Sequence, residues 1–316
     1  MTASRAFRHS NLVAQATRDR VLVAATELSY VPNLLARGLV QNCTATVGVV
    51  VLELANPFFI PMVSAIESIV SKRGLLVIIG ESGRDEGKER QYVEQFQQFR
   101  VGGIIVSPTS SRLDHLAAVR ASGTPVVVMA RQWEHGDYVA TDDAMGGRLV
   151  AEHLLRRGHR RIGLVRREDP SHDPVRDRVL GFRRTLAAAE IKVPDEWDIR
   201  VPGSQIAHGV EAVERLLLAS ERPSAIFVTS DRMALGVVNR LLEQGIRVPE
   251  DVVVIGYDDI PYAACARVPL TTVAIPVHLL GEISAGILLS RLDGAARAEP
   301  SRVLLSPELV IRASCP

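Results

Sequence analysis

The sequence predicts an α/β protein: two successive units of parallel strands and helices, behind a short all-α N-terminal segment. Three observations carry this. From residue 47 onward, short β-branched runs alternate with amphipathic stretches of helical spacing, the rhythm of parallel sheets covered by helices on both faces. The rhythm restarts near residue 142, so two units of similar size follow one another. Residues 1–46 differ in kind and offer helical stretches only.

Residues 17–30 (TRDRVLVAATELSY) read as one helix, with Val21, Leu22, Ala25 and Leu28 on one face and Arg18, Asp19 and Glu27 away from it. Pro32 ends it. Residues 33–41 (NLLARGLVQ) offer one or two further turns from Asn33 as N-cap. They contain Gly38 and fall short of the ~12–15 residues that an isolated helix needs. The first unit reads as strand 47–52 (VGVVVL), a helix over 58–73 stopped at Gly74, strand 75–79, helix 86–99, strand 103–106, a helix ending near Gly123, and strand 126–129. The second reads as helix 147–157 stopped by Gly158, strand 161–165, helices 180–189 and 209–218, strand 225–228, helix 231–244 stopped by Gly245, and strand 252–255. From Leu270 onward a strand, helix 277–292 and strand 309–312 remain, which fit either unit. Strand-to-strand crossovers should be right-handed.

A chain of 316 residues suggests about two domains. Its 47% hydrophobic and 23% charged residues are ordinary for a soluble globular protein. The formal net charge of +1 excludes a polycation, so any nucleic-acid contact must come from a local patch. Residues 1–40 supply one, with Arg5, Arg8, Arg18, Arg20 and Arg37 against Asp19 and Glu27. By charge alone this is an ordinary solvated surface. Cys43, Cys265 and Cys315 are odd in number and far apart, which argues against a disulfide framework or a zinc site. No apolar run approaches the ~20 residues of a membrane span, and the N-terminus lacks the apolar stretch of a secretory signal. A reducing cytoplasm fits best.

Chemistry-bearing motifs are few. Gly83 and Gly87-Lys88 approach a phosphate loop, but the spacing is one residue short and Glu89 stands where a Ser or Thr is needed. No dinucleotide fingerprint follows the first strand and no nucleophile elbow occurs. His153 and His159 have no partners at ligand spacing, so no metal and no cofactor is expected. The acidic pairs Asp142-Asp143 and Asp258-Asp259 each follow a strand, and such ends line the ligand crevice of open α/β sheets. With no second acid, nucleophile or cofactor signature beside them, binding is favoured over catalysis.

Taken in order, TASRAF, TRDRVLVAATELSYVPNLLARGL, TVGVVV, NPFF, GGIIVSP, DDAMGGRLVAEHLLRRGHRRIGLV, RVLGF, TSDRMALGVV, GIRVPEDVVVIGYDD, PLTTV and ELVIR carry a resemblance. Over essentially its whole length the chain resembles the lactose/galactose-repressor family of bacterial transcription regulators. The resemblance implies two Rossmann-like lobes of the type I periplasmic-binding-protein kind, with a helix-turn-helix headpiece and hinge helix over residues 1–42. It implies three chain crossings, a first lobe of about 44–141 with 275–302, and a second of about 142–274 with 303–316. It also implies a homodimer, a near-palindromic operator DNA and a small-molecule effector, a sugar or sugar acid, held between the lobes. Cofactors are none, and no membrane is involved.

For the effector, the resemblance implies Arg178 as a bidentate donor, Asp258 as an acceptor from hydroxyls, Asp231 facing the ligand or capping its helix, and Phe58 as an apolar wall. Phe59, Arg131 and Ser230 are weaker members of the set. For DNA it implies Thr2, Ser4 and Arg5 near phosphates or base edges, Asn33 and Arg37 in the hinge segment, and Leu39 as a minor-groove wedge. Some departures matter. TASRAF matches the middle and end of the recognition helix, so the preceding helix and turn of the family pattern would fall before Met1; a gene start placed too far downstream and a natural truncation both account for this. Ala14 stands where the family has a capping Ser, a loss of about 1 kcal/mol. Ser204 replaces an aromatic and Ile275 a frequent Gln. The rival readings are a solute receptor for uptake, a sugar-modifying enzyme and a DNA-silent ligand sensor. Residues 17–39 speak against the first, and the missing acid/base pair against the second.

Overall fold

The computed structural model describes residues 13–30, 44–168, 174–294 and 299–316. The chain forms two units, residues 1–45 and 46–316. In the first, helix α1 spans Gln15–Glu27. It starts two residues ahead of the stretch that the apolar spacing marks, because Gln15 donates to Asp19 at 3.0 Å while Ala14 gives no side-chain cap, as its methyl requires. Ser29, at φ 49°, turns the chain out of the helix.

The second unit holds two six-stranded sheets. Its first half runs β1 (Thr46–Val51), α2 (Phe59–Val70), β2 (Leu76–Glu81), α3 (Glu86–Gln98), β3 (Gly103–Val106), α4 (Asp114–Ala121), β4 (Val126–Met129) and β5 (Asp137–Thr141). The next segment supplies α5 (Asp143–Arg156), β6 (Ile162–Arg167), α6 (Pro174–Ala188), β7 (Asp198–Val201), α7 (Ile206–Leu216), β8 (Ala225–Val228), α8 (Asp231–Glu243), β9 (Val253–Asp258), α9 (Pro261–Ala264) and β10 (Thr271–Ala274). Last come α10 (Val277–Leu292), β11 (Arg302–Leu305) and β12 (Glu308–Val310).

The sheets have the orders β11-β5-β4-β3-β1-β2 and β12-β10-β9-β8-β6-β7. Every pairing is parallel except β10 with β12. Each sheet therefore repeats one doubly wound order, with a switch point beside β1 in the first and beside β6 in the second. Ligands of such sheets sit beyond the carboxyl ends of the strands at the switch point. Helices cover both faces, which is why β1, β3, β4 and β8 are continuous apolar runs instead of alternating ones. The chain passes between the lobes three times, after Thr141, after Ala274 and after Leu305. The last passage lies beyond residue 302 because β11 pairs in register with β5 and completes the first sheet.

Three strands are absent from the sequence reading: β5, β7 and β11. The first two open on a buried aspartate. Asp137 accepts from Arg291 of α10 at 2.6 and 2.9 Å, and Asp198 accepts from Arg166 at 2.8 and 3.0 Å. Helix α6 starts at Pro174, earlier than residue 180, since proline is at home in a first turn.

Helices α5 and α6 pack against each other through Gly147 and Gly181. A β-carbon at Gly147 would overlap the carbonyl of Arg178, and one at Gly181 the carbonyl of Ala144. This closeness sets Arg178 beside the start of α5. In a helix with room to spare, Gly→Ala would stabilise by about 1 kcal/mol. Gly147→Ala is expected instead to destabilise the chain by about 1–3 kcal/mol through overpacking. Urea unfolding measures the sign, and a gain in stability would show that the two helices have slack.

Candidate effector site

A cleft of about 850 Å³, counting the part open to solvent, lies between the lobes and is lined by residues from both. Its walls come from the carboxyl ends of the strands, as the topology requires. The second-lobe wall is built on a charge cluster. Arg178, on the inward face of α6, donates from Nε to Asp143 at 2.7 Å and from one terminal nitrogen to Asp258 at 3.2 Å and to the Thr229 carbonyl at 2.9 Å. Its guanidinium stacks on the Tyr257 ring at 3.7 Å, and the Tyr257 hydroxyl donates to Asp143 at 3.1 Å. Burial opposes the charge of Arg178, but Asp143 and Asp258 prevail and hold it protonated. Burial raises the pKa of Asp143 in spite of Arg178. It pushes Asp258 up to about 6, again against Arg178.

Two lining residues keep hydrogen-bonding capacity in reserve. Asp258 gives one oxygen to Arg178 and has the other available. The Thr229 hydroxyl is buried with no hydrogen-bond partner. Asp258 also has φ 118°, a conformation that a side chain disfavours, and strain of this kind gathers at ligand sites.

The first-lobe wall is apolar at one end. Phe58 and Phe59 meet edge to face at 5.1 Å, and Asn56 orients them by accepting from the Phe58 amide at 3.2 Å. Ser107, Pro108 and Thr109 follow β3; Thr109 is held by Glu89, which accepts from its amide at 2.6 Å. One ion pair joins the lobes beside the cleft, Glu53 after β1 with Arg232 of α8 at 2.9 Å.

Of the residues that the sequence marks, Phe58, Phe59, Arg131, Arg178, Ser230 and Asp258 all line this cleft, as do Ser204 and Ile275. Asp231 stands behind the wall. It is fully buried, and its oxygens accept from the Thr272 hydroxyl at 2.6 Å and from the Ile260 amide at 3.0 Å, which ties α8 to β10 and to the loop after β9. The acidic pairs divide their work. Asp142 caps α5 by accepting from the Met145 amide at 2.8 Å, and Asp143 reaches Arg178. Asp258 turns to Arg178, and Asp259 to Arg312 at 2.7 Å. Arg84, Asp143, Thr229 and Arg167 line the cleft as well, beyond the contacts that the resemblance implies. The strand-end position of Asp142-Asp143 is the signal that locates Asp143. Thr2, Ser4, Arg5, Asn33, Arg37 and Leu39 lie outside the described residues. Among the described residues no helix is long and apolar enough to cross a membrane.

Residues 1–33 match the family described as bacterial regulatory proteins, lacI family, and residues 151–315 match the periplasmic binding protein-like domain. The chain is 31% identical over 318 residues to the HTH-type transcriptional repressor PurR of Aliivibrio salmonicida, covering 99% of this chain and 94% of that one. In structure it is similar to the lac repressor dimer bound to operator and the anti-inducer ONPF, with a TM-score of 0.87, 28% identity, and coverage of 99% and 94%. A CelR–cellobiose complex is similar with a TM-score of 0.74, 31% identity, and coverage of 98% and 94%.

Burial, reinforced by the charge of Asp258, pushes Asp231 up to about 7 from an ordinary 3.8. Between those values the folded chain keeps a proton that the unfolded chain releases, so stability falls as pH rises from about 4 to about 7. The slope from this one group is at most about 1.4 kcal/mol per pH unit. Asp231→Asn keeps an acceptor for the Ile260 amide and removes the titration. It should be more stable than the parent at pH 8 and show a flatter stability profile over that window. An unchanged slope in urea titrations would contradict the inward-facing assignment.

Proposed function

Because the chain belongs to the lacI family of bacterial regulatory proteins, we propose that it is a DNA-binding transcription repressor whose operator affinity is set by a small molecule held between its lobes. The cleft carries this reading, and the Arg178–Asp143–Asp258 cluster within it most of all. A ligand there touches both lobes, so it binds the closed arrangement better than the open one and shifts the population between them. Expected coupling to DNA is about 1–3 kcal/mol.

The effector is a sugar or related metabolite. Asp258 offers an acceptor to hydroxyl groups, Arg178 a rigid donor, and Phe58 with Phe59 an apolar face, while Arg131 and Ser230 complete the lining. The cellobiose of the CelR complex supports this class. Asp231 serves from behind, keeping the second-lobe wall in place. The cluster fits a binding role better than a catalytic one, because Arg178 and Asp143 spend their hydrogen bonds on each other and on Tyr257.

On the DNA side, Thr2, Ser4, Arg5, Asn33 and Arg37 contact phosphates or base edges, and Leu39 enters the minor groove. Residues 33–41 are too short to be a stable helix alone, so the spacing of two such segments decides whether they order on DNA. Two copies are therefore needed, and the protein works as a homodimer on a near-palindromic site in the cytoplasm. Edge strand β2 supports the dimer: Leu76, Ile78 and Ile79 are 59, 38 and 42% exposed. An edge with exposed branched residues calls for a cover.

The test is DNA selection from a random pool by the full chain. Recovered sites should have two-fold symmetry, and affinity should fall steeply with salt. Single additions of monosaccharides, disaccharides and their acids should include one that shifts operator affinity about 5- to 150-fold. Recovery of no symmetric site would contradict the reading. Ile78→Lys should produce a monomer in sedimentation and weaken operator binding at least about tenfold; a dimer that survives would move the interface elsewhere.

A further inference from the structure

Arg84 is a cation of the cleft that the reading above leaves without a role. It follows Gly83 in the turn between β2 and α3, and both residues are left-handed, at φ 62° and 65°. Glycine adopts that conformation freely, but an arginine does so against the steric preference of its β-carbon. The turn is pinned by Asp85, which accepts from the Lys88 amide at 3.0 Å and caps α3. The result is an arginine placed on the cleft wall at a strained position that glycine or asparagine would occupy with less strain.

A guanidinium has five N–H donors and keeps its charge at any ordinary pH. Among the described residues, no hydrogen bond or ion pair reaches that of Arg84, although the side chain is half-buried. Burial works against its charge, and the fields of Glu53 and Asp258 compensate only in part. Neither acid pairs with it: Glu53 faces Arg232 at 2.9 Å, and Asp258 gives one oxygen to Arg178 at 3.2 Å.

We infer that the effector is an anionic sugar derivative whose carboxylate or phosphate docks on Arg84 of the first lobe while its hydroxyls are read by Asp258 of the second. This rests on the cleft being the effector site proposed above. A bidentate anion satisfies the planar fork and cancels its charge, which a hydroxyl cannot do. A neutral sugar would leave the guanidinium desolvated and unmatched, and that mismatch is a means of rejection. Because Arg84 and Asp258 lie on different lobes, one molecule that holds both also holds the lobes together.

Calorimetric titration of the full chain with pairs matched except for charge tests this: galactose and galacturonate, glucose and glucuronate, glucose and glucose 6-phosphate, ribose and ribose 5-phosphate. At least one anionic member should bind ten times more tightly than its neutral partner, and the uronate and phosphate arms tell which anion fits. Arg84→Gln should weaken that member about 10- to 100-fold and close the gap to the neutral partner, with the melting temperature of the ligand-free chain unchanged. Arg178→Ala should abolish binding of both members. The inference is overturned if no anionic member binds, if the neutral partner binds as well, or if Arg84→Gln keeps the preference. A neutral sugar that binds through Arg178 without anionic preference overturns it and leaves the proposed function standing. Anion binding that survives Arg178→Ala counts against the assignment of the cleft itself.

Discussion

A positive charge buried between two negative ones organises this molecule. Arg178, Asp143 and the Asp258 side chain are almost removed from solvent, and isolated ions in such a place cost several kcal/mol each. Together they are tolerable: the guanidinium supplies donors to both carboxylates, a backbone carbonyl takes a further bond, and the Tyr257 ring covers the planar face. Each partner belongs to a different element. Asp143 begins α5, Arg178 lies on α6, and Asp258 ends β9. The cluster therefore fixes where two helices and a strand end meet, and the close approach of α5 and α6 at glycines is the geometric condition for it.

From that anchor the functional surface follows. The doubly wound order places the carboxyl ends of both sheets toward the cleft, so the lining comes from strand ends, the loops that follow them and the opening turns of helices. Such segments are free to vary without disturbing the apolar strands behind them. Three short passages and the Glu53–Arg232 pair are links that a ligand has to work with. The bistability that a regulator needs is thus placed between the lobes, while each sheet stays rigid.

Much of this was legible in the residues. The β-branched runs ending at Leu52, Val106, Met129 and Val228 fall where the strands are, and one member of each acidic pair, Asp143 and Asp258, lines the cleft, because strand ends of an open sheet lead there. What stayed hidden has a common physical cause: partners distant in sequence. Asp137 and Asp198 make their strands look like loops, since the arginines that grip both oxygens of each, Arg291 and Arg166, sit 154 and 32 residues away. Asp231 looks like a ligand contact at a helix start, and the Ile260 amide and the Thr272 hydroxyl, 29 and 41 residues on, turn it inward. Arg84 follows a glycine in what reads as a failed phosphate loop, and no pattern of residue types reports that a left-handed turn places it on the cleft wall.

The account stands or falls on the buried cluster, and unfolding of the ligand-free chain in urea addresses it most directly. Arg178→Met removes the shared cation and strands two buried carboxylates; a loss of about 3–5 kcal/mol is predicted. Most of that loss should return when Asp143→Asn and Asp258→Asn are added to the same chain. A cost below about 1 kcal/mol for Arg178→Met, the scale of an exposed ion pair, would contradict the central role given to these three residues.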